Sequence, residues 1–281
     1  MDVDLTLLTV GACSHPEAVS RRGAPWRPVD FPALVGVIRH PEGGVVLFDT
    51  GYAPRFFDVT ARLPEAVYAR ATPVRCAPHE SALAQLETLG IHADEVAAVV
   101  LSHLHADHVG GVLDFPAARI VVLRDALAPL ELPRGIRQVK RGVLAGLLPD
   151  DLRDRVLLVD DLAPAQPGLP GPLGPGRDLF GDGSLVLVPL PGHATGHLGL
   201  LVRTAGASIL LVGDAAWSTR AVTHRELPHP VVRLVTDDWS SYAATIGALN
   251  DLGRDHPELH IVPSHCSEAI ARAQAALGAG G

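Results

Sequence analysis

A dense histidine motif, His103-x-His105-x-Asp107-His108, follows directly on a short apolar run over residues 96–101. The run is interpreted as a buried strand because it is short, continuous and rich in valine. Residues two apart in an extended segment point to the same side, so His103 and His105 are expected to face one ion together. A turn after His105 lets Asp107 and His108 face a second ion. The motif therefore predicts a metal site at a strand end, in a fold that brings further ligands to the same edge.

Three polar side chains far along the chain stand where other predicted strands end. His193 lies in a loop between two strands, Asp214 follows the end of a strand, and His265 follows the last strand. In α/β and sandwich folds, ligands gather at strand ends. Imidazole and carboxylate groups suit a borderline cation such as zinc, and iron, manganese or cobalt accept the same ligands. The sequence thus predicts that these three side chains join the histidine motif around metal.

Short strands and helices follow one another in each half of the chain. Strands are predicted at 3–10, 34–39, 45–49, 96–101, 120–123, 185–188, 198–202, 209–212 and 260–262, and helices at 80–89, 137–148, 239–252 and 268–277. Such short, turn-rich strands favour two packed mixed sheets with helices outside over a doubly wound parallel sheet. We predict one α/β sandwich domain over 1–281 with two similar halves. A Pro/Gly-rich loop at about 163–177 joins these halves and is expected to be mobile over a pocket.

Composition and charge limit the kinds of partner and the cellular compartment expected for this chain. The chain is 47% hydrophobic and 19% charged, as expected of a folded soluble protein. Its net charge of -8, with no cluster of Lys and Arg along the sequence, argues against a nucleic-acid partner. Cys13, Cys76 and Cys266 form no disulfide framework, and the acidic N-terminus does not resemble a secretory signal. The uncharged stretch 184–202 contains prolines and histidines, so no membrane partner is expected. These features predict a cytoplasmic protein with a small-molecule substrate and leave its oligomeric state open.

The ligand set resembles that of the metallo-β-lactamase superfamily. The resemblance is carried by His103-x-His105-x-Asp107-His108, His193, Gly213-Asp214 and His265 in the family's order, and by Asp49-Thr50-Gly51 after an N-terminal strand. It spans roughly residues 30–266 and implies an αββα sandwich with the site at one edge.

The resemblance also implies roles for single residues. The first metal would be bound by His103, His105 and His193, and the second by Asp107, His108 and His265. Asp214 would bridge both. Asp49 would orient a ligand histidine through a hydrogen bond, although an Asp-Thr-Gly turn explains this residue equally simply. Two divalent cations lower the pKa of a shared water, so a metal-bridging hydroxide is expected to attack a small ester or lactone. Asp107 could accept or return a proton beside it, which makes Asp107 and Asp214 the candidate catalytic residues.

Within the family, the layout looks most like the N-acyl homoserine lactonase branch. Chain size, the stretch 45–52 and the Gly213-Asp214-Ala215-Ala216 step are shared with it. That branch carries a tyrosine three residues after the bridging aspartate, whose hydroxyl contacts the lactone. Trp217 stands there in this chain, and an indole donates through N–H but cannot act as a phenol. Trp217 is therefore expected in the substrate pocket, and an N-acyl homoserine lactone is one expected substrate.

Other interpretations remain open from the sequence. A thioester hydrolase of the glyoxalase II kind, or a phosphoester or organophosphate hydrolase, would be supported by a basic patch. A non-catalytic metal-binding protein would keep the ligands without turnover. His197 is expected to stabilise its loop, and Cys266 is either a soft metal donor or a buried inert thiol. The remaining histidines are expected to be ordinary: His15, His40, His79, His92, His224, His229, His256 and His260.

Overall fold

Two β-sheets form the centre of the fold. The computed structural model describes residues 3–166, 168–169 and 171–279. Its strands are β1 (Asp4–Pro16), β2 (Pro28–His40), β3 (Gly44–Phe48), β4 (Val74–Arg75), β5 (Val96–Val100), β6 (Arg119–Val122), β7 (Val156–Leu158), β8 (Arg177–Asp178), β9 (Leu185–Pro189), β10 (Leu198–Arg203), β11 (Ser208–Leu211) and β12 (Leu259–Val262). The first sheet has seven strands in the order β4-β1-β2-β3-β5-β6-β7, and the second has five in the order β12-β11-β10-β9-β8.

Both sheets are mixed. In the first, β1, β2 and β3 pair antiparallel, whereas β3, β5, β6 and β7 run parallel. In the second, β11 pairs parallel with β12, and the other neighbours are antiparallel. Parallel strands end at the same edge of a sheet, so the chain that follows β3 and β5 emerges side by side.

The sheets pack face to face through apolar side chains that alternate along the strands. Leu34 and Phe48 of the first sheet and Leu187 and Leu200 of the second belong to one buried cluster. The opposite face of each sheet is covered by helices and packs its own cluster. This is the αββα sandwich expected from the sequence, and burial on both faces explains why β5 reads as a continuous apolar run.

The helices lie outside the sheets. They are α1 (Glu17–Ser20), α2 (Arg55–Val59), α3 (Ala66–Ala71), α4 (Ala82–Thr88), α5 (Ala106–Val109), α6 (Ile136–Val139), α7 (Leu152–Arg155), α8 (Thr219–His224), α9 (Trp239–Asp255) and α10 (Ser267–Gly278), with 3₁₀ turns at Pro78–Glu80, Ala93–Glu95, Val112–Asp114, Arg124–Glu131, Ala145–Leu147, Val159–Asp161 and Pro230–Leu234. Asp238 caps α9 by accepting from the backbone N–H groups of Ser240 and Ser241. Among the described residues, no helix combines the length and apolarity needed to cross a membrane.

Two local predictions are wrong. The stretch 137–148 is not one helix, because Gly142 adopts a positive φ of 71° that ends the helical path. The loop at 163–177 does join the two sheets, and Pro167 and Pro170 lie outside the described residues. Its described residues do not line the main cavity; instead Leu169 packs in the core beneath the second sheet. The described part of the loop therefore does not line the pocket as expected.

Candidate metal centre

Strand ends from both sheets meet at one edge of the sandwich. Asp49 follows β3, and the histidine motif follows β5, next to it in the sheet. The backbone N–H of Asp49 donates to the carbonyl of Val100 at 2.8 Å, which holds the two strand ends in register. Asp214 follows β11, and His265 follows β12, its parallel neighbour in the second sheet. The parallel pairs thus deliver side chains from distant parts of the chain to one place.

His103, His105 and His193 form the first group of converging side chains, and their candidate ligand atoms lie within 4.8 Å of one another. The rings of His103 and His105 have centroids 4.4 Å apart, and His193 Nε2 lies 3.1 Å from His105 Nδ1. Gly192, before His193, has a φ of 129° and approaches α9 so closely that a Cβ there would lie 2.1 Å from the backbone nitrogen of Tyr242. Only glycine fits at this position, which explains the Pro-Gly-His step.

Asp107, His108, Asp214 and His265 form the second group, within the same 4.8 Å limit. His265 Nε2 lies 3.0 Å from Asp214 Oδ1 and 3.3 Å from Asp107 Oδ2. His108 Nε2 lies 3.4 Å from Asp214 Oδ1. These atoms face a common space between them.

Asp214 lies between the two groups. Its Oδ2 is 3.3 Å from His193 Nε2 of the first group, and its Oδ1 is 3.0 Å from His265 Nε2 of the second. Gly213, which precedes it, has a φ of 52°, and a Cβ there would lie 2.8 Å from His197 Nε2. The glycine permits the tight turn that brings the carboxylate between the groups.

The buried polar atoms of the site fit metal ions. His103 Nε2, His108 Nε2 and Asp214 Oδ1 are all buried and lack a hydrogen-bond partner. Leaving such atoms unsatisfied typically costs about 1–3 kcal/mol each. Buried imidazole nitrogens and carboxylate oxygens that make no hydrogen bond, set among further imidazoles and carboxylates, are the ligand atoms that zinc-type cations bind. The residues therefore fit two divalent cations, one in each group.

The first group and the bridging carboxylate have the charge states that metal binding requires, whereas two histidines of the second group hold protons that metal would displace. Burial lowers the pKa of His193 to about 3 and holds the pKa of His103 well below its usual range. Burial would raise the pKa of Asp214, but the surrounding histidines, His265 foremost, hold it well below its usual value. Burial likewise opposes protonation of His265, yet Asp214 and Asp107 outweigh it and raise the pKa to about 10. Metals bind neutral imidazoles and ionised carboxylates, so His103, His193 and Asp214 are already in the state that metal requires. His265 must lose a proton when metal binds, and so must His108, because Asp107 and Asp49 outweigh burial and raise its pKa as well.

Asp49 holds the His108 ring of the second group in place through a hydrogen bond. Its Oδ2 accepts a hydrogen bond from His108 Nδ1 at 2.7 Å, which leaves Nε2 of that ring facing the common space. The backbone N–H and hydroxyl of Ser102 donate to the same carboxylate at 2.7 and 2.8 Å. Burial raises the pKa of Asp49, while His108 and Ser102 act against that rise. Asp49 itself adopts a φ of 58°, which aspartate tolerates better than most residues.

Other contacts fix the remaining polar groups. His265 Nδ1 lies 2.7 Å from the carbonyl of Pro32, and Trp217 Nε1 donates to Asp214 Oδ2 at 3.1 Å. The backbone N–H of Asp214 donates to His197 Nε2 at 3.1 Å, so His197 contacts the site through the backbone and is not in either group. The buried Cys266 thiol contacts the backbone N–H and the hydroxyl of Thr219 at 3.3 Å and is likewise outside both groups.

A cavity of about 730 Å³ opens onto the two groups. His105, Asp107, His193, Asp214 and His265 form part of its lining. Its apolar wall consists of Val19, Phe31, Val67, Ile136, Val139, Leu234 and Val235. Trp217 lines it too, at the position expected from the sequence.

Sequence reasoning missed several residues of this site. Ser102 directly precedes the motif, and its contact with Asp49 has no recognisable spacing. His15 and Cys13 line the cavity because the long β1–β2 hairpin reaches the edge of the sandwich, and Tyr52 lines it from the chain that follows β3. His15 was expected to be ordinary, and only its place beside β2 in the fold could reveal it. The Tyr52 hydroxyl is buried there beside the Cys13 thiol.

Known proteins similar to this chain include metal-dependent hydrolases. The family model described as the metallo-beta-lactamase superfamily matches residues 28–265. A probable metallo-hydrolase of Mycobacterium tuberculosis is 28% identical over 232 residues, covering 80% of this chain and 71% of the relative. The N-acyl homoserine lactonase AttM of Azorhizobium caulinodans is 34% identical over 154 residues, covering 53% of this chain and 52% of the relative. The N-acyl homoserine lactonase AiiB of Agrobacterium fabrum is 30% identical over 206 residues, covering 68% and 66%.

Solved structures share the fold over almost the full chain. An N-acyl homoserine lactone hydrolase with N-hexanoyl-L-homoserine at its catalytic metal centre superposes with a TM-score of 0.72, at 18% identity and 97% coverage of both chains. The dizinc quorum-quenching lactonase AidC superposes with a TM-score of 0.65, at 16% identity, covering 95% of this chain and 88% of that one. At such identities these likenesses establish architecture alone.

Proposed function

This chain belongs to the metallo-β-lactamase superfamily, and from that premise we propose that it is a dinuclear metal-dependent hydrolase of small esters or lactones. One observation carries the proposal: seven imidazole and carboxylate side chains converge in two adjoining groups at the base of an open cavity. Four of their buried atoms, His103 Nε2, His108 Nε2, His193 Nδ1 and Asp214 Oδ1, make no hydrogen bond to the described residues.

We assign the ligands by group. His103, His105 and His193 would hold one cation, Asp107, His108 and His265 the other, and Asp214 would contact both. Zinc suits this donor set, although iron, manganese or cobalt would accept it. When bound, the two cations supply Lewis acidity and lower the pKa of water between them.

The chain's own residues then position the reacting groups. Asp107 lines the cavity as a carboxylate, because the histidines beside it keep its pKa low despite burial. A carboxylate at this place would accept a proton from the attacking water and return it to the leaving oxygen of the ester. Trp217 holds the Asp214 carboxylate through its indole N–H, and the carbonyl of Pro32 holds the His265 ring. These contacts fix the donor atoms before substrate arrives, which is how an active site avoids reorganisation during reaction.

The cavity supports an acylated substrate. Apolar side chains such as Phe31, Val67 and Ile136 form one wall, opposite the polar base. This arrangement accepts a molecule with a hydrolysable head and an apolar tail. Relatives named as N-acyl homoserine lactonases make an N-acyl homoserine lactone the first substrate to test. Because the Trp217 N–H is engaged with Asp214, it does not take the place of the lactonase tyrosine without rearranging.

A second candidate is hydrolysis of a thioester or phosphoester. One observation favours it: Lys140 and Arg141 line the cavity and bring positive charge to its wall. Arg141 is paired with Asp237 at 2.5 Å, whereas no described carboxylate pairs with Lys140. An anionic substrate such as a glutathione thioester would meet that charge.

Parallel assays distinguish these candidates. Purified protein loaded with zinc is offered an N-acyl homoserine lactone, a glutathione thioester and a phosphotriester. We expect lactone hydrolysis at the highest kcat/KM. Hydrolysis of the thioester alone would contradict the proposed substrate class, and loaded metal without turnover on any substrate would indicate a non-catalytic metal-binding protein.

Ligand variants test the site itself. His193→Ala and Asp214→Ala each remove a group at the contact between the two clusters, so both should lower the metal content and abolish hydrolysis while the chain still folds. His260→Ala, on β12 and outside both groups, is the matched control. Metal analysis, circular dichroism and lactone assays are run on all three. Full activity in either ligand variant would show that the ligand assignment is wrong.

A further inference from the structure

An apolar collar surrounds the mouth of the cavity. We use this name for Trp26, Leu63, Val67, Ile136, Leu234 and Val235, which are six of the ten large apolar side chains exposed among the described residues. Leu234 is 82% exposed, Leu63 71% and Trp26 63%. Exposed apolar side chains concentrated in one place, unlike scattered ones, mark a surface that meets an apolar partner.

Contacts place all six at one mouth. Four of them line the cavity directly, and Trp26 and Leu63 are connected to its lining through neighbouring residues. The Trp26 ring lies 5.1 Å from the ring of His229, whose backbone N–H donates to the carbonyl of Val19 in the cavity wall. Pro64, next to Leu63, lies 3.3 Å from where a Cβ on Gly135 would stand, directly before Ile136.

The segments that carry these six side chains are rich in Lys and Arg and poor in Asp and Glu. Residues 16–28, 61–72, 132–142 and 224–239 hold eleven of the 23 Lys and Arg residues but five of the 31 Asp and Glu residues. Their net charge is therefore +6, against -14 for the rest of the chain.

Several of these cations have no counter-charge. Among the described residues, no carboxylate pairs with Arg62, Arg70, Arg137 or Lys140, and all four are exposed. Exposed cations beside exposed apolar side chains are typical of surfaces that bind anionic lipid. The anionic headgroups attract the cations, and the apolar side chains enter the region between the headgroups and the acyl chains.

We propose that the collar docks this protein on an anionic lipid surface, with the cavity mouth facing the lipid. A second copy is a poorer occupant, because the four segments that carry each collar have a net charge of +6. Two such surfaces face to face would repel one another, and each would close the other's cavity. A lipid surface complements both the charge and the apolar side chains, and it leaves the cavity open to an amphiphile within the layer. This proposal departs from the sequence prediction of no membrane partner, which considered a spanning stretch and could not see four distant segments meeting.

Vesicle sedimentation tests the docking without any turnover. Full-length protein is mixed with vesicles of phosphatidylcholine alone, or with about one third anionic phosphatidylglycerol. We expect binding to the anionic vesicles, at least tenfold weaker binding to the neutral ones, and loss of binding at high salt. Since lactone hydrolysis is not measured, failure of the proposed enzymatic function would leave this result intact.

Two double variants separate the contributions of the collar and of its charge. Trp26→Ser with Leu63→Ser removes apolar groups, and Arg62→Glu with Arg137→Glu reverses charge; none of the four residues lines the cavity. Each pair should weaken vesicle binding at least tenfold. Leu89→Ser with Arg39→Glu is the matched control, since both residues are exposed at the opposite end of the first sheet and bond to each other there. This control should bind like the wild type.

The outcomes are distinct. Circular dichroism and thermal unfolding check that the variants fold. Absence of binding to anionic vesicles, or unchanged binding in folded collar variants, would overturn the proposal. A wild-type dimer in analytical ultracentrifugation that the collar variants convert to monomer would overturn it too, because a second copy would then cover the collar.

Discussion

Asp49 shows how a residue that no spacing rule places near metal can govern a metal ligand. Its carboxylate accepts from His108 Nδ1 and from both the backbone and the hydroxyl of Ser102. Asparagine tolerates the same φ of 58° but keeps only one oxygen, so one of these donors would face an amide N–H. We expect Asp49→Asn to weaken metal binding about tenfold to a hundredfold.

Chelator competition measures that loss. Asp94→Asn, which removes an exposed carboxylate just before β5, at the end of that strand opposite the histidine motif, should bind metal as the wild type does. Equal affinity in Asp49→Asn would mean that this carboxylate merely shapes the Asp-Thr-Gly turn.

Trp217 offers a second test at the level of one side chain. Its indole N–H donates to Asp214 Oδ2, and hydrogen bonds to charged groups contribute about 1.5–3 kcal/mol. Trp217→Phe keeps an aromatic ring in the cavity wall but frees that oxygen. We therefore expect kcat/KM to fall about tenfold to a hundredfold with metal content unchanged, because the carboxylate itself remains. Trp239→Phe, on α9, serves as the control; a Trp217→Phe enzyme of wild-type activity would remove the indole from the mechanism.

At the level of elements, the turn after α6 controls the position of His105. Gly142 has a φ of 71°, and a Cβ there would lie 2.3 Å from His105 Cδ2. Gly90 has nearly the same φ, 69°, with nothing within 4 Å of the corresponding position. Alanine at either site should cost about 1–2 kcal/mol of stability, since both adopt a left-handed backbone.

Only one of these two substitutions should affect metal. Gly142→Ala must displace the His105 ring, so the first group should bind metal more weakly in this variant. In Gly90→Ala the affinity of the first group for metal should stay at the wild-type value. Thermal unfolding and metal titration of both variants separate backbone strain from ring displacement. Equal metal affinity in the two would show that the turn does not position His105.

The same turn explains what could and could not be predicted among the elements. β5, β12 and α9 were predictable because each carries its own signal: an apolar run, or an apolar period behind a capping aspartate. The helix expected at 137–148 fails at Gly142, where apolar spacing continues but the backbone must pass close to His105. Local patterns therefore predict elements well where burial alone decides, and poorly where a distant side chain sets the backbone.

The residues of the site also fall into those that the sequence can predict and those that it cannot. Ligands that follow strand ends were predictable from the sequence as candidates, since parallel strands deliver their ends to one edge. Ser102, His15 and Tyr52 were not, because their places depend on how the β1–β2 hairpin and the first sheet pack around the cavity. No spacing within the chain encodes that packing.

At the level of the whole molecule, the proposed cations would join the two sheets. His103, His105, Asp107 and His108 follow a strand of the first sheet, whereas His193, Asp214 and His265 belong to the second. Each proposed site takes ligands from both sheets, so metal binds only when they are packed together. A ligand that binds the folded state alone stabilises it by about 2.7 kcal/mol at a free concentration 100 times its Kd.

Removing the metal should therefore destabilise the fold as a unit. For a chain of this size we expect chelation to lower Tm by about 5–10 °C, and His193→Ala to show a smaller shift because it binds less metal. The shift should also shrink as pH falls, because protons compete for the ligands: His265, whose pKa is raised to about 10 without metal, must lose its proton on loading. Differential scanning calorimetry with and without chelator, at two pH values, measures both effects. An unchanged Tm in protein shown to have lost its metal would mean that the two sheets hold together without help from the site.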